Sequence, residues 1–222
     1  MTLSSFGYVS PEQQMQDRAE FARKGISRGR SVAVMKCEAG IVFVAENHSS
    51  TLHKVSEIYD RIGFAAVGRY HEFESLRIAG VRHADLRGYS YDRADVTARS
   101  LAGAYSQLLG STFAAAMAKP YEVDLIVAEL GGTVDNDVIY RITYDGVIHD
   151  EGRTSVIGGD AERIGSVLAE QHRVDMTVDE AVDLAAGMLS ASGGLDRSQL
   201  EVALLDRGTA RRRTFVRWQR DG

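Results

Sequence analysis

GRSVAVMKCEAGIVFVAE, residues 29–46, reads as a β-hairpin. Residues 31–36 and 41–46 are rich in valine and other apolar β-formers, and the CEAG between them puts a glycine at the turn. Strand-like runs follow at 54–58 and 62–67, then two long helical patterns. Residues 69–87 carry Tyr70, Phe73, Leu76, Gly80 and Ala84 on one side; residues 92–109 carry Ala98, Leu101, Tyr105 and Leu108. Strands are expected at 121–130, 138–144, 147–151 and 154–157, with Asp145-Gly146 as a hairpin turn. Asp160 is positioned to cap a helix with Ile164, Val167 and Leu168 inward. Thr177 and Glu180 form a capping-box pattern for another, stopped at Gly193-Gly194. Strands at 201–205 and 214–218 follow. The order is strands, two helices, strands, two helices, strands, with hairpins dominating. It predicts a four-layer αββα sandwich: two antiparallel sheets flanked by helix pairs.

Ahead of the hairpin lies SPEQQMQDRAEFARKGI, residues 10–26. Ser10 suits an N-cap, Pro11 the first helical turn, and Gln13 completes a capping-box pattern. Met15, Ala19, Ala22 and Ile26 fall on one face, a thin stripe for a helix that needs something to pack on.

The chain has 222 residues, of ordinary single-domain size, with 44% hydrophobic and 26% charged residues. Residues 1–9 read as a flexible tail and 10–222 as one domain. The net charge of −5 argues against a broad nucleic-acid face, and Arg211, Arg212 and Arg213 read as a solvated edge. One cysteine, Cys37, excludes an internal disulfide and reads as an inert buried thiol in a reducing compartment. No apolar run approaches the roughly 20 residues a membrane span needs, and MTLSSFGYVS lacks the regions of a signal peptide. A cytoplasmic protein is expected.

No metal-ligand spacing, phosphate loop or GxSxG elbow occurs among the six histidines, the lone cysteine and the glycine pairs. No cofactor and no metal are expected. Asp135 and Asp137 read as a solvated turn. The chemistry that suits an αββα sandwich is the N-terminal nucleophile hydrolase, whose Thr, Ser or Cys opens the first strand with a free α-amine. Here Gly29 stands at that place without a side chain, and a helix precedes it. The fold is kept and no catalytic residue is expected. The alternative is a self-processing hydrolase using Ser31 after cleavage, or Thr2 after loss of Met1.

Three stretches carry a family resemblance: SPEQQMQDRAEFARKGISRGR (10–30), LHKVSEIYDRI (52–62) and KPYEV (119–123). They resemble proteasome α subunits of the actinobacterial type, with similarity from about Tyr8 to about Asp206. The resemblance implies a noncatalytic subunit of heptameric rings capping the catalytic β rings of a 20S core. Its partners would be β subunits, neighbouring α subunits and an AAA+ ring ATPase with an aromatic-rich C-terminal tail. Substrates tagged with the prokaryotic ubiquitin-like protein (Pup) would be engaged indirectly. It also implies that the first helix, through Ser10, Pro11, Met15, Phe21 and Arg23, touches its neighbours in the ring. The tail before it would gate the pore. Many archaeal and eukaryotic α subunits carry Tyr-Asp-Arg upstream of the Ser-Pro pair and Glu-Tyr-Ala-Arg in the helix. This chain has Phe6-Gly7-Tyr8-Val9 and Glu20-Phe21-Ala22-Arg23 instead. A gate built from Leu3, Phe6, Gly7, Tyr8 and Val9 would therefore close by apolar contact. Lys54, by the resemblance, receives the C-terminal carboxylate of activators in a groove between subunits.

Overall fold

The computed structural model describes residues 10–189 and 197–218. Among these residues five α-helices and ten strands build four layers: α1 Pro11–Ser27, β1 Val32–Cys37, β2 Gly40–Glu46, β3 Val55–Tyr59, β4 Ile62–Gly68, α2 Tyr70–Ser90, α3 Ala98–Ala114, β5 Val123–Glu129, β6 Val138–Ile142, β7 Ile148–Glu151, β8 Thr154–Ile157, α4 Ala161–Gln171, α5 Val178–Leu189, β9 Leu200–Asp206 and β10 Phe215–Arg217. One sheet runs β10-β9-β2-β1-β8, the other β3-β4-β5-β6-β7, and every pairing is antiparallel.

Central strands are covered on both faces, which is why their sequences are continuously apolar. Along β1, Val32 and Val34 enter the core between the sheets with Phe43, Ala65, Val67 and Ile126. Ala33, Met35 and Cys37 turn the other way, onto Ile164 and Leu168 of α4 and Val182 and Ala185 of α5. The second sheet does the same, packing Phe64, Leu125 and Val127 against Phe73 and Leu76 of α2 and Leu101 and Tyr105 of α3. Burial of these large side chains, about 1.5–3 kcal/mol each, fixes the layer order. The αββα sandwich is therefore the observed architecture. Among the described residues no helix is long and apolar enough to cross a membrane.

Several local expectations change. The helical pattern over 92–109 divides: Asp92 caps a short 3-10 turn, Arg93–Asp95, and Thr97 caps α3 by accepting from Ser100 N. Ala98, Leu101 and Tyr105 are buried as expected, but the stripe's last step is four residues, so Leu109 is buried and Leu108 is 38% exposed. Ser10 accepts from Gln13 N, but the Gln13 amide turns away to Asp17, leaving the capping box half made. Asp160 pairs with Arg163 and makes no side-chain cap. The Thr177–Glu180 box forms in both directions. β3 begins one residue later than expected, at Val55. Gly193 and Gly194 lie outside the described residues.

Asp137 is the clearest correction. It is no solvated turn: its side chain is fully buried and ion-paired with Arg207 at 2.6 Å. Gly131 N also donates to it, and Arg207 donates onward to the carbonyls of Gly131 and Glu38. A buried carboxylate needs such partners, and arginine's fixed fork supplies them.

Candidate functional site

Gly29 sits between α1 and β1, with its amide bonded to Ile26 O. A Cβ there would lie 2.3 Å from Val67 Cγ1, so the position where a nucleophile would stand has no room for a side chain. Ser31 is buried and its hydroxyl donates to Gly158 O at 2.8 Å. Its nitrogen is peptide-bonded and its oxygen faces a carbonyl, so neither a base nor a substrate reaches it. Cys37 is buried, and desolvation raises its thiol pKa to about 11, which suits the inert thiol read from sequence.

Lys54 lies just before β3 in a preorganised loop. Asn47 ends the loop's entry: its side-chain amide donates to Leu52 O and to Glu201 Oε2, and its own oxygen accepts from Ser49 N. Glu201, on β9 of the opposite sheet, then takes the backbone amides of Lys54 at 2.8 Å and Val55 at 3.2 Å. Arg217 of β10 completes the carboxylate's shell and also donates to Val55 O. With its backbone so held, the Lys54 ammonium donates to Arg30 O at 2.8 Å and Glu46 O at 3.0 Å. Burial lowers its pKa to about 8; the Glu46 carboxylate opposes that shift, Arg30 adds to it, and Glu201 opposes it. An ammonium has three donors, so one remains for an incoming acceptor. Around it stand Arg30, ion-paired to Glu46 at 3.0 Å, and His48 at 3.2 Å from the same oxygen. This is a small, half-buried, cationic acceptor site.

Helix α1 lies across one end of the sandwich. Ala22 and Ile26 are buried with Tyr144, while Ala19 and Phe113 pack alongside. Arg18 donates to three carbonyls at the end of α3, Thr112, Phe113 and Ala116, and lies over the Phe113 ring. A cation on a helix C-terminus is favoured by the unpaired carbonyls and the helix dipole. Further along, Gly25 lets the helix approach Glu122, since a Cβ there would sit 2.0 Å from Glu122 Oε2. Glu122 is fixed by Arg69 at 2.6 Å and Lys119 at 3.0 Å, and its amide donates to Glu72. The KPYEV stretch thus forms part of the seat of α1.

The proposed contact residues divide. Met15 is 41% and Phe21 46% exposed, so both apolar side chains face outward from this chain. Phe21 lies within 5.8 Å of the Lys119 ammonium. Arg23 is also exposed, with its guanidinium 5.9 Å over the Tyr144 ring of the same chain. Ser10 and Pro11 begin the helix, as their chemistry requires. Leu3, Phe6, Gly7, Tyr8 and Val9 lie outside the described residues, as does Thr2. Sequence reasoning missed Glu201, Asn47 and Arg217, which place Lys54, and Arg18, which seats α1. No spacing signals them, because each acts on residues remote in the chain.

Residues 26–204 match the family described as proteasome subunit. The chain is 56% identical over 215 residues to the proteasome subunit alpha of Streptomyces coelicolor, covering 95% of this chain and 85% of that one. It is 57% identical over 217 residues to that of Xylanimonas cellulosilytica, covering 92% and 88%. With that of Acidothermus cellulolyticus it shares 56% over 217 residues, covering 95% and 92%.

Proposed function

The chain belongs to the proteasome subunit family, and from that membership we propose that it is a noncatalytic α-type subunit of a bacterial 20S core. The observation that carries this reading is the identity of 56–57% to proteins named proteasome subunit alpha over 92–95% of the chain. The crowded, side-chain-free Gly29 supports it, since a hydrolase of this fold needs a nucleophile there.

In this proposal seven copies form an outer ring in the cytoplasm, in contact through α1 and its exposed Met15 and Phe21. Peptide-bond hydrolysis belongs to the β subunits beneath. Residues 1–9 gate entry through the apolar Leu3, Phe6, Tyr8 and Val9, with Gly7 giving local freedom. A ring-shaped AAA+ ATPase docks by placing a C-terminal carboxylate against Lys54, and Pup-tagged proteins arrive through it. The spare donor of the Lys54 ammonium supports that role.

The test is a reconstituted core with β subunits. A threonine-directed covalent probe should label β and leave this chain unlabelled. Deleting residues 1–9 while keeping the Ser10 cap should raise basal degradation of unfolded protein. Stoichiometric labelling of this chain would overturn the noncatalytic reading, and an unchanged rate after deletion would remove the tail as a gate.

A further inference from the structure

Where the edge strands leave the sandwich open, a cavity of about 700 Å³ lies between the two sheets and the end of α1. Strand parity places four polar side chains on its inner faces. Asp124 precedes Ile126 and Ala128 of the inter-sheet core at even spacing and pairs with Val67. Arg141 sits opposite Ile126, Glu151 opposite Ile139, and Ser155 opposite Val34. Arg141 and Glu151 satisfy one another at 2.8 Å. Asp124 Oδ1 and Ser155 Oγ do not: both are shielded from solvent and neither has a hydrogen-bond partner. A buried carboxylate oxygen and a buried hydroxyl left unpaired carry a desolvation cost that a bound donor would relieve.

The surrounding charge selects the donor. Asp124, Glu151, Asp160 and Glu162 line the cavity against Arg23 and Arg141. Arg141 and Glu151 neutralise one another, Asp160 is held by Arg163 and Arg23 lies over Tyr144, so the unpaired carboxylate of Asp124 is the group that selects a positively charged donor. No group of three or more His, Cys, Asp or Glu residues among those described converges as a metal-ligand set, so a carbon-bound cation fits better than a metal ion. We propose that this cleft binds a cationic N–H donor on a short aliphatic stem, an alkylammonium or guanidinium group, anchored by Asp124 and Ser155. The volume suits a small ligand. Burial raises the Asp124 pKa to about 6; Arg141 opposes that shift, Asp145 adds to it, and a backbone hydrogen bond from Tyr144 opposes it. Glu151 from β7 and Arg23 from α1 also face the cleft. The anchor is therefore charged at neutral pH, and binding weakens as pH falls through 6.

Isothermal titration of the intact chain in its assembled form tests this with n-butylammonium, n-propylguanidinium and the neutral isostere n-butanol at pH 7.5. Saturable binding of the cations is expected, at least tenfold weaker in Asp124→Asn and absent for n-butanol. Binding of the free ions assigns a small-molecule amine. Silence of both ions with saturation by an acetylated lysine-bearing peptide assigns a partner's basic side chain. Silence of both ions and of the peptide, equal binding of n-butanol, or undiminished binding by Asp124→Asn overturns the site. The asparagine variant should unfold at or above the parental midpoint at pH 7.5, since it removes a buried charge. Should it unfold earlier, Ser155→Ala takes its place and must weaken n-butylammonium about threefold; unchanged binding there refutes the proposal.

Discussion

If activators dock at Lys54 as proposed, that docking should switch off as pH rises above 8. Its pKa is lowered to about 8 by burial. At that value about three quarters of the lysines are charged at pH 7.5 and about one tenth at pH 9, where an ordinary lysine would remain almost wholly charged. A neutral amine has two N–H donors, and both are already engaged by the carbonyls of Arg30 and Glu46. Deprotonation therefore removes the third donor, the one open to an acceptor, together with the charge. Affinity for a carboxylate should scale with the charged fraction and fall about eightfold between pH 7.5 and pH 9. Stability moves the other way. A lysine whose folded pKa lies below its unfolded value of 10.5 opposes folding while it is charged in both states. Its contribution therefore improves as pH climbs from 8 to 10.5, so the titration of Lys54 does not itself unfold the chain, and circular dichroism at pH 9 separates lost binding from lost fold. The assay is fluorescence polarisation on assembled rings with an aromatic-rich peptide ending in a free carboxylate, its amidated form serving as control. Lys54→Arg should bind more weakly than the parent at pH 7.5 yet lose nothing by pH 9, because guanidinium does not titrate there. A flat parental profile, or an arginine variant falling in parallel, would refute the role of this ammonium.

Two further outcomes follow from the polar contacts. Arg207→Ala strips the buried Asp137 of its cation and should cost about 3–5 kcal/mol in chemical denaturation; a loss below 1 kcal/mol would show that the carboxylate finds other partners. Arg18→Ala removes three hydrogen bonds to the end of α3 and should loosen α1 by about 1–3 kcal/mol. Hydrogen exchange should then quicken at least fivefold over residues 11–27 with little change in the sheets, and uniform protection would discard Arg18 as the clamp.

The layered sandwich was legible because hydrophobic burial is written locally. Val32–Cys37 and Gly40–Glu46 are apolar on both faces, and only a strand covered on both sides wants that. The Thr177–Glu180 box and the Ser10 cap were legible for the same reason, each being closed within three residues. Polar partnerships were not. Lys54 N meets Glu201 across 147 positions, Arg207 meets Asp137 across 70, and Arg18 meets Thr112 across 94. Nothing in a carboxylate's own neighbourhood in the sequence says which remote amide it will accept. Asp137 was misread for that reason: flanked by Asn136 and Val138, it looks like part of a turn until the chain returns with Arg207. Lys54 was singled out by family likeness alone, whereas its lowered pKa follows from burial beside Arg30, which no stretch of sequence displays.

Strand β9 carries a consequence in its two ends. At one end Glu201 reaches across to the backbone of β3; at the other, just past the strand, Arg207 reaches across to Asp137 beside β6. The two attachments stand about 20 Å apart at strand spacing. A single polar attachment between greasy layers would act as a pivot, about which one sheet could turn on the other. Two attachments fix a line, and with the Arg217–Val55, Lys54–Glu46 and Thr214–Asp60 bonds they resist both rotation and sliding of one sheet on the other. The subunit should accordingly behave as a stiff plate, leaving relative motion to the separately clamped α1. Pairing Arg207→Ala with Glu201→Gln should then loosen the sheets more than the two single substitutions do in sum.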